Sequence, residues 1–255
     1  KHFDIISPVV EADGVINLCK MKTHLFTVMT GAVKNLFGVI PGLIKTGYHA
    51  KLHDTMRFAG MLLDLARYVA PRLTIMDAVV AMEGNGPGSG EPRPVGLLLG
   101  AQDPLALDVV AGEIMGIDRR ENPILMAAEK RGQKPNRIED VDVIGAELAD
   151  VKVPDFKRSQ VSAGSLGLES IPWYQRLIEP FAKNAFTVRP RVIWDRCIAC
   201  GTCIEGCPVQ AVSLVNERAY IADDECIRCY CCHELCPEEA IGLFSSWLYQ
   251  LLKPA

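Results

Sequence analysis

Eight cysteines near the end of this 255-residue chain stand in two copies of one spacing. Cys197, Cys200 and Cys203 are followed by Cys207-Pro208, and 29 residues later the pattern returns as Cys226, Cys229, Cys232 and Cys236-Pro237. Ala211-Val212 and Ala240-Ile241 extend the repeat downstream. Three thiolates at this pitch wrap a tight loop round one corner of an iron–sulfur cubane, and the fourth iron takes its thiolate from further along the chain. In a duplicated unit each half supplies the other's fourth ligand, after which a proline turns the chain out of the site. The spacing therefore predicts two 4Fe-4S clusters, one on Cys197, Cys200, Cys203 and Cys236, the other on Cys226, Cys229, Cys232 and Cys207. Structural zinc usually takes two cysteines from each of two knuckles, which this run fits badly.

The run resembles the two-cluster bacterial ferredoxins and departs from them in no ligand. Cys231 is left over beside Cys232 and reads as a small buried side chain against a cluster. Cys19 lies in an apolar stretch and reads as core. From Asp195 to Ile241 nine acidic residues face three arginines, a net −6 before any cluster adds its own charge. Negative surroundings disfavour an added electron, so low potentials and a redox partner protein with a basic docking face are expected.

The balance reverses between Lys20 and Arg57. Lys20, Lys22, Lys34, Lys45, Lys51 and Arg57 face the single acid Asp54, with His24, His49 and His53 among them. Lys20-Met21-Lys22-Thr23-His24 follows an apolar stretch that reads as a strand, and ligands bind where chains leave the C-terminal ends of parallel strands. Gly31-Ala32-Val33-Lys34-Asn35 reads as a short helix whose first amides favour an anion. Lys20, Lys22, His24, Lys34, Asn35 and His49 are thus candidates to hold an anionic small molecule, a phosphate or a carboxylate; a solvated basic face is the plainer reading. Glu83, in the glycine-rich run Met82–Gly90, and Asp108, in an apolar helix, are candidate acid/base groups or metal ligands beside Lys20, Lys22 and His24. A carboxylate at position 108 needs a partner such as a lysine or a metal. The glycine run lacks the Gly-Lys-Ser/Thr ending of a P-loop and reads as a flexible loop. No serine or cysteine before residue 154 sits in a recognisable nucleophile elbow.

Val15–Cys19, Leu73–Met76, Val95–Leu99 and Val141–Ile144 read as buried strands. Asp54 caps a helix carrying Phe58, Met61, Leu62, Leu65 and Val69 and stopped by Pro71; Asp103-Pro104 opens a second over Leu105–Met115, and Pro123–Arg131 makes a third. The expected fold class is α/β, a mostly parallel sheet domain over residues 1–153. Residues 154–190 read as a linker with a short broken helix, 191–245 as a small α+β ferredoxin-like domain with its two clusters, and 246–255 as a helical tail. Composition is that of an ordinary globular chain, 49% hydrophobic and 23% charged with net charge −4. It gives no reason to expect nucleic acid and no apolar run long enough for a membrane span. Closely spaced cysteines favour a reducing compartment, so a cytoplasmic protein is expected.

Lys20–His24, Thr30–Gly38, Tyr48-His49, Ala81–Pro87 and Asp103-Pro104-Leu105-Ala106-Leu107-Asp108 resemble the uncharacterised iron–sulfur proteins grouped as domain of unknown function 362. Several of these end in a two-cluster ferredoxin module, as this chain does. Members carry a further α/β segment ahead of this point, which implies that the natural start precedes Lys1. The family implies architecture rather than activity. The leading expectation is an oxidoreductase passing electrons between a partner and an anionic substrate or metal centre in the α/β domain, in an anaerobic setting. The alternatives are a non-catalytic electron-transfer or docking subunit and a cluster-containing binding or regulatory protein.

Overall fold

The computed structural model describes residues 2–42, 44–52, 54–159 and 188–244. The chain divides into two compact units, Lys1–Gly164 and Ser165–Ala255. His53, most of the expected linker with its broken helix, and the expected tail lie outside the described residues.

The first unit is built on a four-stranded sheet. Its strands are β1 (Ile16–His24), β2 (Val28–Thr30), β3 (Leu73–Asn85) and β4 (Ser89–Ala101), in the order β2-β1-β3-β4. Only β1 and β3 are parallel; β1–β2 and β3–β4 are antiparallel. The sheet is therefore mixed, not mostly parallel. The cause is the glycine-rich run, which is the tip of a long hairpin and not a flexible loop. Residues 82–85 end β3 and pair with 89–92 of β4, leaving only Gly86-Pro87-Gly88 to turn. Gly86 must lack a side chain, because a Cβ there would overlap the Thr23 carbonyl. Its N–H instead reaches Thr23 Oγ1 at 3.3 Å, and its own carbonyl accepts from Leu25 N at 3.2 Å.

Two other expectations shift. The apolar strand at Val15–Cys19 continues to His24, so Lys20 and Lys22 lie within β1 and not on a loop beyond it. Residues 141–144 form no strand: Ile144 is 96% exposed and has no core to enter. Along β1, Asn17, Cys19 and Met21 point inward while Ile16, Leu18 and Lys20 face out, the period-two alternation of a half-covered sheet.

Helices cover the inward face. They are α1 (Ser7–Glu11), α2 (Ala32–Asn35), α3 (Ile44–Lys51), α4 (Thr55–Val69), α5 (Pro104–Ile114), α6 (Pro123–Lys130) and α7 (Leu148–Val151). Asp54 caps α4 by accepting from Arg57 N at 2.7 Å, and Ala70, at φ 43°, ends it before Pro71. The α4 side chains Phe58, Met61, Leu62 and Leu65 are buried, each worth roughly 1.5–3 kcal/mol of apolar transfer. Asp103 caps α5 as expected, accepting from Leu105 N at 2.8 Å. Residues 154–159 belong to this unit rather than to a linker. Phe156 is buried in the core beside Met21 and Met76, and Gly84 N donates to the Lys157 carbonyl at 3.0 Å.

The second unit has two small antiparallel pairs, β5 (Arg189–Val192) with β8 (Ile241–Phe244) and β6 (Val212–Val215) with β7 (Arg218–Ile221). Two short helices, α8 (Thr202–Glu205) and α9 (Cys231–Leu235), follow the two cysteine loops.

Candidate metal centres and the basic corner of the first unit

The sequence repeat of the second unit is a backbone repeat. Ala199 and Arg228 both sit at φ 56°, Gly201 and Tyr230 at 82° and 62°, and Gln210 and Glu239 at 57° and 48°. These left-handed residues recur at the 29-residue offset and bend the two halves of the repeat in the same way. Backbone donors repeat too. Ala211 N reaches Cys207 Sγ at 3.2 Å, and Ala240 N reaches Cys236 Sγ at 3.2 Å. Ala219 N and Arg228 N point at Cys197 and Cys226, each at 3.4 Å. Such N–H groups stabilise charge on thiolate sulfur and tune the potential of whatever it binds.

The sulfurs surround two hollows. One is lined by Cys197, Cys200, Cys203 and Cys236, the other by Cys207, Cys226, Cys229, Cys231 and Cys232. The fourth cysteine of each set thus comes from the opposite half of the repeat. Among the described residues, no three His, Cys, Asp or Glu side chains are gathered tightly enough to hold a single metal ion. Three closely spaced cysteines joined by a fourth from the other half suit the four irons of a cubane.

The two loops differ in cover. Cys200 is exposed and Ile198 is 61% exposed, whereas their counterparts Cys229 and Ile227 are half-buried. Where the first loop has Gly201, the second has Tyr230, 3% exposed, whose hydroxyl donates to the Val188 carbonyl at 2.9 Å. Cys231 occupies the place of Thr202. Thr202 Oγ1 lies 3.5 Å from Cys200 Sγ, and the buried Cys231 thiol hydrogen-bonds Cys229 in the same way. Sequence reading missed Thr202 and Tyr230; aligning the two halves beyond their cysteines would have found both.

In the first unit the candidate residues separate into two groups. Lys20 pairs with Asp77 at 2.7 Å and donates to the Val80 carbonyl at 2.7 Å. Asn35 is spent on Asn17 Oδ1 and the Leu18 carbonyl, at 2.8 and 2.9 Å. Glu83, 3% exposed, accepts from Lys157 N at 3.0 Å with Arg93 and Lys157 Nζ at 3.7 and 3.8 Å. Asp108, fully buried, accepts from the first two amides of α2, Ala32 N at 2.5 Å and Val33 N at 3.1 Å. That helix start is therefore occupied by a side chain of this protein, and the partners Asp108 finds are backbone amides. Burial raises the Asp108 pKa to about 7 even against those amides. Gly31 lacks a side chain to permit this contact, since a Cβ would overlap Asp108 Oδ1.

The other group gathers at the end of β1. Lys22 stands directly across from Thr30 in the β1–β2 register and donates to the Pro87 carbonyl at 3.2 Å. His24 is buried, and its Nδ1 accepts from Phe26 N and Thr27 N at 3.0 and 3.4 Å. Burial pushes its pKa well down, and Lys34, His49 and Lys22 push it further. His49, 4% exposed, stacks on Phe58 with ring centres 4.6 Å apart, and Phe26 and Phe37 meet it edge-on. Burial, with the Lys34 charge, takes its pKa down to about 3. Lys34 Nζ lies 4.9 Å from the centre of the Phe37 ring. The phenylalanine floor and Thr30 were not singled out from sequence; the Lys22–Thr30 pairing becomes visible only with the strand register.

A mixed α/β domain followed by a duplicated cysteine fold is the architecture of an iron–sulfur protein. Comparison with known families agrees. Residues 1–113 match the domain of unknown function DUF362 and residues 189–237 match a 4Fe-4S dicluster domain. The chain is similar to the Thylakoid-associated protein sll1697 of Synechocystis sp., 42% identical over 139 residues, which are 54% of this chain and 43% of that protein. The match therefore spans less than half of the relative's length. No solved structure matches the chain. Among the described residues, no helix is long and apolar enough to cross a membrane.

Proposed function

We propose that this protein is an oxidoreductase whose 4Fe-4S clusters carry electrons between a basic-faced redox partner and an anionic substrate bound by the first unit. The observation that supports it most is the pair of hollows, each lined by the three spaced cysteines of one half and by one cysteine of the other, with Cys231 as a fifth in the second. Cys197, Cys200, Cys203 and Cys236 would hold one cluster and Cys207, Cys226, Cys229 and Cys232 the second. Bound there, the clusters supply one-electron transfer at low potential. The chain's own contribution is to aim backbone N–H groups at the sulfurs and to set the solvent exposure of each loop. A partner is drawn in by the exposed Asp195, Glu217 and Glu238 of this unit. In the first unit, Lys20, Asn35, Glu83 and Asp108 keep scaffold roles, while Lys22, His24, Lys34 and His49 receive the anion. Thiolate ligands that must stay reduced suit a cytoplasmic setting.

The test is anaerobic reconstitution of the full chain. It should take up about eight irons with matching sulfide, and the reduced protein should be reoxidised by a phosphorylated or carboxylated acceptor. Four irons, or zinc in their place, would overturn the cluster reading. A second reading, a subunit that only relays electrons, is favoured by the exposure of Ile198 and Cys200. It predicts reoxidation by a protein carrier and by no small acceptor.

A further inference from the structure

The outer edge of β4 has two unlike halves. The first carries Pro92 and Pro94, which offer no N–H, and ends in a register shift where Gly96 stands at φ 77°. Prolines and bulges keep stray strands from adding to an edge. The second half, residues 97–101, has neither and carries no charge. β4 is last in the strand order, so among the described residues no strand pairs with its outer N–H and C=O groups. Leu98, 71% exposed, makes this half apolar on its solvent side as well.

A cavity of about 440 Å³ lies beside this half. Its walls include residues 97–101, the α5 side chains Ala106, Val110 and Ile114, and residues 140–144. α5 shares a core with β4 through Leu107, Ile114, Leu97 and Leu99, so the helix backs both the strand and the space next to it. Three of the four residues at 141–144 are β-branched, the composition of a strand, yet they form none. Val141 is extended, at φ −124° and ψ 125°. Among the described residues, Asp142, Val143 and Ile144 make no backbone hydrogen bond. An open sheet edge and an unpaired β-branched run on the walls of one cavity are the elements that an added strand joins.

We propose that this cavity receives an extended segment of a partner protein, which adds to residues 97–101 of β4 as a further strand and orders residues 141–144 beside it. Charge selects the chemistry of that segment. Asp103, Asp140 and Asp142 line the cavity, and no lysine, arginine or histidine does. Lys134 answers Asp140 at 2.7 Å, whereas Asp103 and Asp142 are exposed, and neither forms an ion pair among the described residues. The segment therefore alternates apolar residues, which pack on α5, with polar ones that include a base. A second copy pairing through its own residues 97–101 would bring no base to this site. Main-chain hydrogen bonds supply the affinity, and the apolar floor and the aspartates supply the selectivity. The proposal goes beyond the oxidoreductase reading and depends on no cluster.

The experiment titrates the anaerobically reconstituted full chain into a fluorescein-labelled peptide, Lys-Val-Thr-Val-Thr-Val-Lys, and reads fluorescence anisotropy and amide hydrogen exchange. Two companion peptides carry glutamate for each lysine or proline for each threonine. The basic peptide should bind saturably and slow exchange at residues 97–101 and 142–144. The glutamate peptide should bind about tenfold more weakly at low salt, and the proline peptide, short of N–H donors, should not bind. D142N should weaken the basic peptide roughly twofold to fivefold, the range of one exposed ion pair. V143P, which removes an N–H from the 141–144 run, should weaken it by about fivefold or more. L18S, on the outward face of β1, should bind like the parent, and circular dichroism checks that each variant is folded. Absence of saturable binding, equal binding of the proline peptide, protection confined to other residues, or equal loss in V143P and L18S would each overturn the site. Protection of residues 97–101 that grows with chain concentration in the absence of peptide would assign the edge to a second copy and overturn it too. Iron content and electron transfer do not enter these readouts, so failure here leaves the oxidoreductase reading intact.

Discussion

The two cysteine loops of the second unit share a backbone and differ in their surroundings. Each places three thiols on a curl held by two left-handed residues and receives its fourth from the other half. One loop lies open, with Cys200 and Ile198 exposed; the other is closed over by Tyr230 and by a thiol in place of a hydroxyl. Ligand spacing sets what is bound, and the residues between the ligands set how the two sites behave. A duplicated unit can thereby divide its labour, one site exchanging electrons with the outside and the other holding them within.

The largest expected effect breaks the equivalence outright. Cys200→Ser should remove one cluster and Cys229→Ser the other, each variant keeping about half of the parent's iron. Loss of all iron from either variant would show that the halves do not bind independently. The next effect is a difference in potential. Burial disfavours the more highly charged reduced state, so the centre in the open loop should be reduced first, by on the order of 100 mV in an anaerobic titration. Coincident potentials would mean that cover does not distinguish the loops. Smaller again are the neighbouring donors. Thr202→Val should lower the potential of the open centre by some tens of millivolts, and Cys231→Ala that of the covered centre by less, because a thiol donates more weakly than a hydroxyl.

The smallest effect lies in the first unit, as a reference for stability changes in the loop variants. The His49 pKa is about 3 in the folded chain against an ordinary 6.5. The unfolded chain therefore binds the extra proton between those values, and stability is lost as pH falls through this range. At pH 6 the loss is just under about 1 kcal/mol, and His49→Gln should remove that part of the slope in a denaturant titration. An unchanged slope would place the proton uptake elsewhere.

Much of the second unit was legible because its determinants are local. Three cysteines two residues apart and a following proline specify a loop whatever surrounds it, and the 29-residue offset marked the duplication. The first unit was legible in its caps, Asp54 and Asp103, and in the apolar faces of its helices. It was misread where partners come from afar. Asp108 is answered by amides more than 70 residues earlier in the chain, at Ala32 and Val33, and Glu83 by the Lys157 amide 74 residues later. Neither pairing leaves a mark in local spacing, so both carboxylates looked available for chemistry. The glycine-rich run was misread for another reason. Four glycines suggest freedom, yet the run is mostly strand, and Gly86 answers to the approach of Thr23.

The proposed crossing of ligands between halves rests on the cysteines that line each hollow, and one measurement tests it. Electron paramagnetic resonance of the reduced, anaerobically reconstituted chain should show two 4Fe-4S signals, and Cys236→Ser should abolish the one that Cys200→Ser abolishes. If Cys236→Ser instead removes the signal lost in Cys229→Ser, each half binds its own cluster and the crossed arrangement described here is wrong.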